Sequence, residues 1–258
     1  MSHFIMPYAG NKRNEYKYLK TFLIFNKIEN IIEPFCGTSA ISFNIWLEHP
    51  NLHFYLNDVN KDLIAIYHLL KTNNIDDIYD VLNNYRKKYN DKDKYETFYK
   101  DKQSNNILKY IFIRKISSFH IGKFNTTRNN NKDFKKPTEL QLKFIEFIKS
   151  PNVHIYNKDW KFVFNKFKNN DKSIIIFDPP YINSCNKYYN NKKEVNNNNV
   201  YEYFYKSKIT NFKSSIYFIL EDIKDNKLIF GDNNIIKCYN KKYEISKKLT
   251  HHIIISNK

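Results

Sequence analysis

The apolar run Ser173-Ile174-Ile175-Ile176-Phe177 constrains this chain most, because it ends abruptly in Asp178-Pro179-Pro180-Tyr181. Five residues of this kind read as a buried strand. Proline cannot continue a ladder, and the residue before it is pushed to extended geometry, so the strand stops there and delivers the Asp178 carboxylate to the edge of a sheet. Taken alone, the four residues serve equally as a strand stop and turn. They also suit chemistry on an amino group. An exocyclic amine of a nucleobase has its lone pair delocalised into the ring and must be held by acceptors on its hydrogens. Asp178 offers a carboxylate oxygen and Pro179 a carbonyl on a backbone with fixed φ, while Tyr181 offers a flat face for an extruded base.

Upstream, residues 28–35 form a second short apolar strand centred on Ile31 and Ile32. It runs into Glu33-Pro34-Phe35-Cys36-Gly37-Thr38-Ser39 before a helical stretch from Ala40 to Leu47. In this strand–turn–helix unit Gly37 permits a positive φ and close approach of a ligand, and the helix start presents unpaired amides. Glu33 either merely ends the strand or faces a ligand bearing positive charge or donor groups. A further strand, His53 to Leu56, leads to Asn57-Asp58-Val59-Asn60 and a helical stripe of Val59, Leu63, Ile66, Tyr67 and Leu70. Helix capping accounts for one of the three polar residues there but not for all of them. An acidic group at this place in a nucleotide-type fold also reads a ribose diol.

Taken together, the chain resembles the Dam-type, D12-class DNA adenine-N6 methyltransferases. The motifs that carry the likeness are Pro7-Tyr8-Ala9-Gly10-Asn11-Lys12-Arg13, Glu33-Pro34-Phe35-Cys36-Gly37, Asn57-Asp58-Val59-Asn60 and Asp178-Pro179-Pro180-Tyr181, in the family's order. Lys158-Asp159-Trp160 and the closing Ile253-Ile254-Ile255-Ser256-Asn257 add to it. The family commonly has another Gly after the first in the turn, where Thr38 and Ser39 stand here. The resemblance implies a three-layer, Rossmann-like α/β sheet that binds S-adenosylmethionine, with an inserted, mainly helical recognition domain. It places the catalytic domain at residues 1–71 and 158–258 and the recognition domain at 72–157. It implies catalytic roles for Asp178, Pro179, Pro180 and Tyr181, and cofactor contacts from Tyr8, Lys12, Glu33, Phe35, Gly37, Asp58, Trp160 and Asp178. The implied reaction moves a methyl group from S-adenosylmethionine to N6 of an adenine flipped out of duplex DNA, at a specific site and without metal. A cytosine-N4 methyltransferase and a catalytically silent DNA-binding protein of the same fold are the alternatives.

Composition agrees with a nucleic-acid partner: 43 Lys and Arg against 26 Asp and Glu leave a formal charge of +17 on 258 residues. AT-rich coding would inflate Lys and Asn in the same way, so charge only supports that reading. The 21 Tyr and 21 Phe supply ample core material. Three widely spaced cysteines, Cys36, Cys185 and Cys238, give neither a disulfide frame nor metal-ligand spacing. With no apolar run of about 18 residues and no signal-peptide core, the expectation is a cytoplasmic or host-intracellular protein without a membrane partner or an obligate protein partner.

The central region contains helical stripes at Ile75, Ile78, Val81, Leu82, Tyr85 and Tyr89, and at Leu108, Ile111, Phe112 and Ile116. Thr138-Glu139-Leu140-Gln141 reads as a capping box that opens a third helix, with Leu140, Phe144, Phe147 and Ile148 on its buried face. Residues 117–137 are rich in Lys, Arg and Asn with Phe interspersed. Arg114, His120, Lys123, Asn125 and Arg128 are the candidates for base or phosphate contact, against the alternative of a solvated loop. The Asn/Lys-rich residues 183–199 cannot bury a core and are expected to be mobile.

Overall fold

The computed structural model describes residues 2–8, 12–102, 106–117, 123–125, 132–181, 198–242 and 249–258. In chain order the elements are α1 (Arg13–Leu19), β1 (Asn30–Glu33), α2 (Ala40–Glu48), β2 (His53–Asn57), α3 (Lys61–Thr72), α4 (Ile75–Lys88), α5 (Lys92–Lys100), α6 (Ile107–Ile116) and α7 (Glu139–Lys149). There follow β3 (Val153–Tyr156), α8 (Trp160–Phe167), β4 (Ser173–Phe177), α9 (Asn198–Ser207), β5 (Ser215–Glu221), α10 (Lys224–Phe230), β6 (Ile235–Lys242) and β7 (Leu249–Ser256). The chain forms two units, one of Met1–Asn11 with Asn60–Pro151 and the other of Lys12–Val59 with Asn152–Lys258.

The second unit holds a seven-stranded sheet in the order β3-β2-β1-β4-β5-β7-β6. β1 to β5 are parallel and β7 is antiparallel to both neighbours. Every residue of β1 and β4 is buried, as the unbroken apolar run of β4 requires of a central strand. Ile32, Ile175, Phe177, Ile216, Phe218, Leu220, Ile253 and Ile255 share one core with Trp160, Val163, Phe164 and Phe167 of α8 and with α9 and α10. The alternate residues, among them Ile31, Ile174, Ile176, Ile219 and Ile254, are buried too, so neither side of the central strands is wet. Each such side chain contributes about 1.5–3 kcal/mol by leaving water. This is the Rossmann-like α/β architecture that the resemblance implies.

Strand order reverses between β1 and β4. The chain leaves β1 toward β2 on one side and leaves β4 toward β5 on the other. A crevice opens at the carboxyl ends of two strands that diverge in this way. Both of the motifs that follow those strands, the Gly37 turn and Asp178-Pro179-Pro180-Tyr181, therefore emerge at one place.

In the helical unit the Thr138 side chain accepts from the Gln141 amide while the Gln141 side chain accepts from the Thr138 amide, the reciprocal cap that the sequence predicts. Phe144, Phe147 and Ile148 are buried as expected, with Ile145 beside them and Leu140 only half-buried. α3 and the amino-terminal segment cluster with this unit through one aromatic group. Phe4 meets Tyr67 at 5.9 Å and Phe144 at 5.8 Å, both edge-on, and its carbonyl accepts from Gln141 Nε2 at 2.9 Å. α5 has no counterpart among the sequence expectations; Asp91 caps it and it buries Tyr95 and Phe98. No described helix is long and apolar enough to cross a membrane.

Candidate active site

The turn after β1 is held by its own acidic residue. Glu33 is buried, and its Oε1 accepts from the Ser42 amide at 2.7 Å. α2 needs this, because its N-cap Ser39 has a left-handed φ of 51° and makes no side-chain cap bond. Burial pushes the Glu33 carboxyl up to about 7, against hydrogen bonding from Ser42 and helped by the nearby Asp178 carboxylate. Gly37 takes φ 49°, and a Cβ added there would meet nothing within 4 Å, so the turn leaves open space beside its backbone.

The three polar residues at and just beyond the end of β2 have three different tasks. Asn60 caps α3, accepting from the amides of Asp62 and Leu63. Asn57, fully buried, donates through Nδ2 to the carbonyls of Pro34 and Lys158, each at 3.0 Å, and accepts from the Lys158 amide at 3.0 Å. It thereby ties together the chain segments that follow β1 and β3. Asp58 Oδ2 accepts from the Gly37 amide at 3.1 Å, which sets a carboxylate beside the turn. Phe35 stacks on Trp160 with ring centroids 6.4 Å apart. The Trp160 indole N–H is buried without a hydrogen-bond partner among the described residues. Asp159, next to it, caps α8.

At the end of β4 the Lys12 ammonium donates to Asp178 Oδ1 at 2.5 Å and to the Tyr181 hydroxyl at 2.7 Å. Burial alone would lower the pKa of Lys12, but Asp178 and then Glu15 outweigh it, and the net shift is upward. Lys12 is therefore a fixed cation. Its contact with the carboxylate is charge-assisted and directional, so the orientation of Asp178 is set before any ligand arrives. The Tyr201 hydroxyl of α9 donates to the Pro180 carbonyl at 3.2 Å and holds the tetrapeptide from its other side.

The family model for D12 class N6 adenine-specific DNA methyltransferases matches residues 8–245. The chain belongs to this family. Among relatives of this D12-class chain, the Type II methyltransferase M.MjaIII of Methanocaldococcus jannaschii is 26% identical over 174 residues, which cover 60% of this chain and 59% of that protein. The Type II methyltransferase M.CviBI of Paramecium bursaria Chlorella virus NC1A is 23% identical over 186 residues, covering 69% and 68%. The stretch shared with M.MjaIII is thus less than two thirds of that relative's length.

Within this D12-class chain, Lys12, Glu33, Phe35, Gly37, Asp58, Trp160 and Asp178 to Tyr181 all belong to the sheet unit, at the end of β1, on the segments that follow β1 to β4 or at the start of α1. Tyr8 belongs to the helical unit, edge-on to Phe4 at 6.2 Å. Arg114 is buried there, its guanidinium 5.1 Å from the centre of the Tyr110 ring. Lys123 is exposed and Asn125 half-buried, while Phe124 between them packs against Tyr95. His120 and Arg128 lie outside the described residues, as do most of residues 183–199. Asn57 and an ion pair of the buried Glu15 with the half-buried Lys241 were not singled out as site residues from the sequence. Their signals are weak: polar residues inside α1 and near the end of an edge strand look like solvated positions.

Proposed function

We propose that this chain methylates N6 of adenine at a specific site in duplex DNA, with S-adenosylmethionine as donor. The observation that carries the reading is the Lys12–Asp178 pair at the end of a central strand, beside the open Gly37 turn. The residues present fit the donor. A turn with room for a close backbone approach, an aromatic face at Phe35 and Trp160, and carboxylates at Glu33 and Asp58 suit a cationic nucleoside. When bound, S-adenosylmethionine supplies a methyl group on a sulfonium, open to direct displacement by an amine.

The protein's part is to hold and orient. Lys12 takes Asp178 Oδ1, which leaves Oδ2 to accept a hydrogen from the target amine. The Pro179 carbonyl takes the second amine hydrogen, so that the nitrogen lone pair points out of the base plane. Tyr181 gives the extruded base a face to stack on, and the negative charge of Asp178 stabilises the positive charge that grows on the amine. No covalent enzyme intermediate is needed. The helical unit, with Lys123 exposed, is proposed as the target-recognition module, and the charge of +17 supports a phosphate-backbone partner.

The test is to incubate the protein with duplex DNA and S-adenosylmethionine, digest the DNA to nucleosides and identify the product by mass spectrometry. N6-methyladenine is expected. N4-methylcytosine would replace this reading with that of a cytosine enzyme, and unmodified DNA would replace it with that of a silent DNA-binding protein.

A further inference from the structure

One run of hydrogen bonds leads from the site to the last strand. Lys12 Nζ contacts Asp178 Oδ1 and the Tyr181 hydroxyl, and the Tyr181 oxygen lies 3.5 Å from His252 Nδ1. His252 Nε2 is 2.9 Å from Thr250 Oγ1, and Thr250 donates to the Lys241 carbonyl at 3.3 Å. The His252 ring is fully buried, edge-on to Tyr181 at 5.6 Å and tilted against Tyr239 at 5.5 Å.

One assignment of the protons gives every contact in this run a donor and an acceptor. Thr250 has one hydroxyl hydrogen and gives it to a carbonyl, so toward His252 it can only accept; Nε2 must carry hydrogen. Burial, then the cations Lys12 and Lys241 and the neighbouring His251, push His252 down to about 3, so the ring is neutral and Nδ1 keeps its lone pair. Tyr181 therefore donates to Nδ1 and turns its own lone pairs toward Lys12. Lys12 can then donate to Tyr181 and Asp178 together, and the Tyr181 hydroxyl is kept from competing with a substrate amine for the Asp178 carboxylate.

We infer that His252, as its Nε2–H tautomer, is a positioning residue that fixes the Tyr181 hydroxyl and, through it, the Lys12–Asp178 pair. The inference rests on the reading of Asp178 and Tyr181 given under Proposed function. His252 touches no reacting atom in that account. It acts on the rate of transfer and not on affinity for DNA.

Three substitutions separate this role from simple packing. His252→Asn puts an amide oxygen where Nδ1 stands and keeps an acceptor for Tyr181. His252→Gln keeps an N–H toward Thr250 but no acceptor for Tyr181, and His252→Phe keeps neither. Single-turnover transfer should fall about tenfold in the Gln and Phe variants, the loss of one hydrogen bond, with KM for DNA unchanged and the Asn variant near wild type. In a Tyr181→Phe background the same changes at His252 should add nothing. An Asn variant that folds yet is as slow as the Phe variant, or an undiminished His252 effect without the Tyr181 hydroxyl, would overturn the inference. Nitrogen-15 spectra of the wild-type imidazole give a second readout that needs no variant to fold. They should show protonated Nε2 and bare Nδ1 at neutral pH, and the opposite tautomer or a charged ring would also overturn it. Wild-type protein that methylates no DNA would remove the functional reading, and the spectra would then judge the hydrogen-bond run by itself.

Discussion

In the sheet unit the buried cation Lys12 is paired with a carboxylate, whereas in the helical unit the cations Arg86, Lys109 and Lys115 lie over aromatic rings. Lys12 faces Asp178, Lys241 faces Glu15, and Glu33 faces the Ser42 amide. In the helical unit the Arg86 guanidinium lies 4.4 Å from the centre of the Phe134 ring, and Lys115 is 4.9 Å from the same ring while donating to the Ile5 carbonyl. Lys109 lies 4.7 Å from the Phe98 ring centre and donates to the Asp101 carbonyl. Burial, and then the like charge of Arg86, push Lys115 down to about 8. A ring face stabilises a cation over a broad range of positions, so these contacts hold the helices together without aiming anything. A carboxylate–ammonium pair is directional and costly to break, and here it fixes the carboxylate that follows β4.

The comparison is broken most severely at its strongest pair. Lys12→Met removes the buried cation from the half-buried Asp178 carboxylate, and urea unfolding should show a loss of about 3–5 kcal/mol. Asn57→Ala comes next. It strips partners from the Pro34 and Lys158 carbonyls and from the Lys158 amide, so a loss of about 3 kcal/mol is expected. Calorimetry should also show weaker donor binding, since the Gly37 turn loses its tie.

Glu33 supplies a pH signature in the sheet unit. Its folded pKa of about 7 lies above the unfolded value of 4.5, so between those limits the native state holds a proton that the unfolded state has released. Stability from this group is present below pH 4.5 and is lost as pH rises to about 7, by roughly 3 kcal/mol at about 1.36 kcal/mol per unit. Stability measured against pH in the wild type and in Glu33→Gln should differ in slope across that window. The smallest effect belongs to the helical unit. Lys109→Met should change stability by less than about 1.5 kcal/mol, because an apolar chain still covers Phe98 and the exposed Asp101 can pass its carbonyl to water. A loss as large as that of Lys12→Met would erase the distinction between the two units.

What was legible in the sequence was local. The apolar run of β4 with its double proline, the strand–turn–helix around Gly37, the Thr138–Gln141 capping box and the Ile253-Ile254-Ile255 strand each carry their signal within a few residues. α5 was missed because Lys92–Lys100 is mostly polar and shows only Tyr95 and Phe98 to the core. β6 was missed because an edge strand with Lys237, Asn240 and Lys241 looks like a loop. The stripe of Leu63, Ile66, Tyr67 and Leu70 was readable in α3, but that it clusters with α7 was not, since periodicity names a face and not its partner. The same limit hid the site's wiring. Asn57 was one of three candidate caps with nothing local to mark it as the tie between two turns, and the burial of Arg114 over Tyr110 was not legible either.

The central claim is that Asp178 orients the amine that is methylated. Single-turnover methylation of duplex DNA by folded Asp178→Ala, with DNA binding measured in parallel, tests it most directly. Transfer should fall at least about a hundredfold, the scale for removing a preorganised electrostatic group, while DNA affinity stays within a few-fold of wild type. Transfer at a near wild-type rate would contradict the account.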